Sequence, residues 1–265
     1  MSAKKKKTIN ITSIIDDYCS LLKKEMQFRW NNWSKDLSKK ELYDVVGAIL
    51  SRQVSLSIGL AENINMWNGN LAPIILRSMA DNHINLEWIL NDIDNRPREF
   101  ILHGLGQLKL EIEHRKNQME KDGEDIKADK YLEYMEAFLN SQKYSFLTEV
   151  NLGSWSGIST RKMAEECGSI DFYNYVFQPF SSCVHSTWGH ISRYNSEMSI
   201  NPLHKFLFKP IMLQYEPDIH YLELAARYVD KSFNSYDRKF KLKEKTESSY
   251  NFLIKELDKL IDDSN

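Results

Sequence analysis

The sequence predicts an all-α fold, a single multi-helix bundle, and three observations carry that reading. Ten glycines and six prolines punctuate 265 residues, a sparse supply for a chain of many strands and turns. Apolar residues recur at helical spacing through most of its length. No segment alternates convincingly as a strand.

The elements follow in order. Ile14, Ile15, Tyr18, Leu21, Leu22, Met26 and Trp30 space a first helix over 13–33. A second is expected from about Ser38 to Trp67, its centre "GAILSRQVSLSIGLA" rich in small residues that let another backbone approach. "NGN" at 68–70 ends it. Pro73 suits the first turn of a third helix, which runs to about Asp92 and stops at "DNRP". Pro97 opens a fourth, which becomes strongly charged after Glu111, and "KDGED" at 121–125 is its turn. "KYLEYMEAFLNSQKYSFL" is a further amphipathic helix. The polar "NLGSWSGIST" reads as a loop, with Ser159 or Thr160 capping a short helix through Cys167. Asp171 is expected to cap the next helix, with Pro179 as a kink or restart within it. Residues 195–217, with three prolines, suit a structured loop before two final helices over 217–236 and 244–262. No repeat or linker divides the chain, so residues 9–265 are read as one helical domain behind a basic, disordered arm at 1–8 that carries Lys4 to Lys7.

Bulk properties bound the function. The net charge of −2 excludes a global basic field. The three cysteines, Cys19, Cys167 and Cys183, lack metal or CxxC spacing and read as buried thiols of a reducing compartment. No uninterrupted apolar run approaches the ~18 residues of a bilayer span, and the N-terminus lacks the apolar core of a signal peptide. The expectation is a cytoplasmic chain with no membrane partner, metal or cofactor.

Polar residues in apolar company mark the candidate site. At about 100° per residue, Ile75, Met79, Leu86 and Leu90 line one stripe of the third helix, and Ile74, Ile84 and Trp88 a second. Arg77 and Asp81 fall within the second, so both are expected to be at least partly buried, with Ala80, Glu87 and Asn91 facing out. A buried ion pair adds little net stability, yet losing one partner is costly. Such a pair either orients a neighbouring helix or readies an arginine for a phosphate or carboxylate. Further on, "FSSCVHSTWGH" at 180–190 collects small polar residues unusual for a core helix. Read as one continuous helix, it sets Ser182, His185 and Ser186 on a polar side, opposite Val184, Trp188 and Ile191. His185 then has room for a ligand, while His190 points away.

No catalytic template closes: HExxH, GxSxG and a phosphate-cradling glycine loop are all missing from the sequence. The arginine-to-histidine spacing of HEPN-like helical ribonucleases occurs at Arg77–His83 and at Arg96 or Arg98 with His103. A spacing this loose also arises by chance in a chain with seven histidines.

"LRSMADNHINLEWIL" followed by "RPREF", Trp155 to Arg161 in "WSGISTR", "MAEECG" and "FYNYVFQPFSSCVH" resemble a bacterial family known as domain of unknown function 5677, over residues 70–195. The resemblance implies a helical fold, HEPN-like by analogy, and a residue set of Arg77 with Asp81, Trp155, Arg161, Ser182 and His185. Members of that family resemble components of bacterial defence and abortive-infection loci, a link of association rather than chemistry.

Two functions follow from these residues. In the first, the chain is a metal-independent endoribonuclease or a nucleotide- or phosphate-binding effector. Arg77 and Arg161 contact the anion, Asp81 holds Arg77, His185 acts as general base or acid, and Ser182, Ser186 and Trp155 complete the pocket. Its partners are RNA or a nucleotide. In the second, the same cluster is a structural polar network, and a surface does the work, with a homodimer or a locus-encoded protein as partner. Candidate surfaces are the helix from Leu108 to Glu120 and the proline-containing "NPLHKFLFKPIML" segment.

Overall fold

The computed structural model describes residues 10–142, 154–204, 207–212, 216–242 and 246–264. The basic arm therefore lies outside the described residues, as does the start of the "NLGSWSGIST" loop.

The chain is all-α, with one small two-stranded sheet among the described residues. Helix α1 (Ile11–Asn32) begins at Asn10, whose side chain accepts from the Thr12 N–H. Helix α2 (Lys40–Ala61) follows a 3-10 turn. Both α3 (Ala72–Asn91) and α4 (Arg96–Asp122) carry a proline in the first turn, where its missing N–H costs nothing. The "KDGED" turn closes α4 through Gly123 in the left-handed conformation, φ 70°, with the Glu124 N–H returning to the Met119 carbonyl at 2.9 Å. Asp129 caps α5 (Lys130–Ser141) and Ser159 caps α6 (Thr160–Glu166).

From 170 onward the expected single helix is broken into pieces. Helix α7 (Ile170–Phe172) is preceded by Ser169 and has no side-chain cap. Asp171 lies in its first turn and is not the cap. A π-turn, Tyr173–Phe177, then leads into α8 (Gln178–Val184). Pro179 has no N–H for the Tyr175 carbonyl, and the ring widens so that the Gln178 N–H reaches Tyr173. Helix α8 ends at His185, and α9 (Trp188–Tyr194) starts afresh.

The stretch read as a structured loop contains an antiparallel hairpin, β1 (Ser196–Met198) and β2 (Phe208–Pro210), with Glu197 opposite Lys209. Three-residue strands are too short to show an alternation. Helices α10 (His220–Phe240) and α11 (Ser249–Ser264) complete the fold.

The main core joins α1, α2, α3, α10 and α11, with Tyr18, Leu22, Leu50, Leu60, Leu76, Phe233 and Leu253 fully buried. Leu37–Ala61 is long and apolar enough, by length and composition, to cross a membrane, but more than half of that window is buried in the fold. Across the core, Arg29 grips Asp237 with two hydrogen bonds, at 2.9 and 2.7 Å. Glu25 beside it accepts from the Ser249 backbone at 2.9 Å, capping α11 from a neighbouring helix. Helices α4 and α5 share a separate small cluster of Ile112, Leu132 and Met135.

The "NGN" turn is more than a helix end. The Cys183 thiol donates to the Asn70 carbonyl at 3.3 Å, and His190 Nε2 lies 3.1 Å from Asn70 Oδ1. The Tyr194 ring, stacked on His190 at 4.7 Å, presses against Gly69, where an added Cβ would fall 2.2 Å from the ring. Gly69→Ala is therefore expected to expel Tyr194, unstack His190 and cost about 1–3 kcal/mol. The check is a chemical melt, with rising Tyr194 exposure read from its NMR signals.

Candidate functional site

Helix α3 is buried on almost every side. Beyond the expected apolar stripes, Ala80 is fully buried, because Ala80, Ile84 and Trp88 form a second core with Met163 and Ala164 of α6 and Phe177 of the π-turn. The face expected to meet solvent instead carries a second layer of chain. Asn91, at the end, is exposed as predicted. Ile74, expected in the second apolar stripe, is exposed instead of buried, because the layer of α6 and the π-turn meets the helix further along, at Ala80, Ile84 and Trp88. The polar side chains of α3 therefore find partners inside the protein, in two seams.

The first seam faces α8. Arg77 Nε donates to Ser181 Oγ at 2.9 Å, and Nη1 donates to Asp81. The guanidinium carbon lies 3.1 Å from the centre of the Phe177 ring. Phe177 is in turn stacked on Tyr173, four residues earlier, at 4.6 Å. Ser181 directs its own proton to the Phe177 carbonyl at 2.9 Å, leaving a lone pair for Arg77. The Arg77 side chain is 14% exposed and Asp81 43%. Burial pulls the guanidinium below its ordinary range, against Asp81, and lifts the Asp81 carboxyl, against Arg77.

The other predicted residues do not join this cluster. The partner of Arg77 on α8 is Ser181, one position before the predicted Ser182. Ser182 Oγ pairs with Thr187 Oγ1. The α8 terminus is a Schellman motif: Thr187 N–H bonds to the Ser182 carbonyl at 3.0 Å, and Ser186 N–H to the Cys183 carbonyl at 3.1 Å. This requires Ser186 at φ 49°, in the left-handed region normally left to glycine. The break removes the polar face that a continuous helix would have shared among Ser182, His185 and Ser186. His185 sits at the C-cap, exposed. Trp155 donates to Asn85 at 3.1 Å and meets Phe100 edge-on, bridging α3 and α4. Arg161 lies mostly in solvent, paired with Glu165 at 3.2 Å.

The second seam, between α3, α2 and α10, escaped the sequence reading. Gln53 of α2, fully buried, donates to the Met79 and Tyr228 carbonyls at 3.2 and 3.3 Å, and accepts from Asn82 at 3.0 Å. His83 is fully buried, with Nδ1 3.0 Å from Ser232 Oγ. Ser232 commits its proton to the Tyr228 carbonyl at 2.9 Å, so the Nδ1 atom of His83 must be the donor. That leaves Nε2 as a bare lone pair, buried without a hydrogen bond and 3.9 Å from Glu87 Oε1. Burial, helped by Lys231 and Arg238, holds the His83 pKa down at about 3. A long buried helix with Asn82 and His83 in sequence could have signalled this seam. Their partners lie up to 149 positions away, out of reach of any wheel.

The HEPN-type spacing is thus split, since Arg77 turns to α8 while His83 turns to α10. Arg96 is likewise occupied, stacked on Trp88 at 3.4 Å and donating to its carbonyl. Among the described residues, no group of three or more His, Cys, Asp or Glu is placed to hold a metal ion. Burial raises the thiols of Cys19 and Cys167 to about 11, away from thiolate chemistry near neutral pH.

The sequence pattern of a family of unknown function (DUF5677) matches residues 43–201. The chain belongs to this family. The match begins in α2 and ends just past β1. It includes Arg77 with its partners Asp81, Phe177 and Ser181, but Ser232 of the second seam, on α10, lies beyond it. No curated protein and no solved structure matches the chain.

Two outcomes test these seams. Arg77→Ala removes the tie between α3 and α8 and leaves Asp81 without its counter-ion, so a loss of about 2–4 kcal/mol is expected in urea unfolding. For His83 the folded pKa lies below the unfolded value of ~6.5, so the unfolded chain takes up the proton first. Its contribution is complete above pH ~6.5 and is lost as pH falls toward 3, at up to about 1.4 kcal/mol per pH unit. Unfolding free energies between pH 7.5 and 5 should show a shallower slope in His83→Gln than in the wild type.

Proposed function

We propose that this family member is a helical interaction protein, with the α3 polar seams as its internal ties and the α9–hairpin face as its docking surface. One observation carries the reading. Ile200, Leu203 and Met212 are 95%, 90% and 100% exposed in a segment that folds around its own hairpin. Large apolar side chains left bare this way mark a contact surface rather than a core. The polar seam of Arg77 supports it from the other side. Its Nε and Nη1 are held by Ser181 and Asp81 and its face by Phe177, an arrangement suited to joining helices.

A second reading is a metal-independent endoribonuclease or a phosphate-binding effector in a defence setting. What favours it is the exposed imidazole of His185, one turn beyond the Ser181 that holds Arg77. There His185 would act as the base, and Arg77 would have to exchange Asp81 for the anion.

A photoreactive residue at Leu203, with Lys24 on the surface of α1 as control, separates the readings in the cytoplasm of expressing cells. The interaction reading expects a heavier cross-linked species from position 203 alone, and intact cellular RNA. Fragmented RNA that becomes intact in Arg77→Ala and His185→Ala variants of unchanged stability would establish the nuclease instead. No adduct at position 203 would remove the docking surface.

A further inference from the structure

The hairpin and the helix before it make one apolar platform. Trp188 of α9 meets Phe208 of β2 edge-on at 5.6 Å, which joins the helix to the strands. Trp188, Met198, Ile200, Leu203 and Met212 are all more than half exposed, while Leu207 falls on the other face of the hairpin, with Glu197 and Lys209. At roughly 150 Å² for a fully exposed side chain of this size, the five exposed residues leave on the order of 600 Å² of apolar surface bare. The largest patch on a monomer is typically ~300–600 Å², whereas each partner in a stable complex buries about 800 Å².

We infer that this platform is the interface of a homodimer, its occupant the same platform on a second copy of the chain. The inference rests on the interaction reading and names its partner. The bare area reaches the lower end of the ~600–1,000 Å² that one side of a standard interface buries, and a two-fold axis supplies an equal, equally apolar patch to cover it. Charge permits it: the net charge is −2, and on the hairpin Glu197 and Lys209 neutralise each other at 2.7 Å. Among the described residues its lysine and arginine charges are Lys209, paired with Glu197, and Arg193 of α9, well short of the basic cluster that draws a surface helix or hairpin to anionic lipid.

The mode of contact also follows. Hydrogen bonds from Ile211 to the Asn195 carbonyl and from Ser199 to the Leu207 carbonyl point the odd-numbered residues of the first strand toward the second. Ser196 and Met198 therefore hold the outer edge of β1, and Pro210 leaves the outer edge of β2 short of a donor. Pairing two β1 edges about their central residue would set Glu197 against Glu197, a like-charge pair directly across the ladder. Short edges of this kind leave the apolar side chains as the main contact between the copies.

The test is the mass of the purified full-length chain in solution, by light scattering and sedimentation equilibrium. Twice the chain mass is expected for the wild type. The monomer mass is expected for Leu203→Asp combined with Met212→Asp, with unchanged helix content, because both side chains are in water in the single chain. Any fall in the melt should be no more than the lost association accounts for. A second double variant, Tyr131→Asp with Tyr134→Asp on α5, should remain dimeric. A wild type monomeric at its highest soluble concentration overturns the inference, as does a dimer that survives the hairpin substitutions. If the monomeric chain cross-links from position 203 to a different protein, or sediments with anionic vesicles, the dimer falls and the docking surface stands. If position 203 yields no adduct in cells, both fall.

Discussion

Helix α3 lies between two layers, with α2 and α10 on one side and α6, the π-turn and α8 on the other. A helix enclosed this way still carries the polar side chains its sequence contains, and water is not there to receive them. Each must be met within the protein or remain a cost of the fold. Arg77, Asn82, His83 and Glu87 are all subject to that constraint. Their partners decide where α2, α8 and α10 can sit: Ser181 on α8, Gln53 on α2, and Ser232 and Ser235 on α10.

The two seams meet the constraint with different completeness. Around Arg77 nearly every group has a role, from the Phe177 face to the Ser181 lone pair, and the partly open Asp81 still reaches solvent. Around His83 one atom is left over. Its tautomer is set by Ser232, which is set by a main-chain carbonyl of α10, so Nε2 faces a carboxylate oxygen as an unfilled acceptor. An acceptor beside an acceptor attracts neither, and the arrangement persists because the packing around it, including the edge of Phe172 at 4.9 Å, holds the ring in place. The histidine that looks most like chemistry in the sequence, His185, is at the surface. The one with an unusual environment is in the core.

The outer face follows a different rule. Helix α8 is short because Pro179 disturbs its start and a left-handed Ser186 ends it, and α9 leaves at a new angle to rest on the "NGN" turn. That redirection carries the hairpin outward, where none of the described residues forms a layer above its exposed apolar side chains. The fold thus leaves apolar area uncovered at the hairpin and polar groups enclosed around α3.

The helical class, most helix positions and the Arg77–Asp81 pairing were legible in the amino-acid order. Each depends on residues within a few turns of one another: apolar spacing, Pro73 and Pro97 at helix starts, Gly123 at an end, and a charge pair four apart. The partial burial of Arg77 could also be read, since it shares its side of the helix with Ile84 and Trp88. The choice of Ser181 over Ser182, the separation of Arg77 from His83 and the burial of Ala80 could not. They turn on a π-turn that shifts the register of α8 by a fraction of a turn, and on neighbours more than 70 residues distant. A helical wheel assigns directions around one axis. Only the tertiary packing decides which of those directions meets α6, α8, α10 or water, because each depends on surface supplied by another part of the chain.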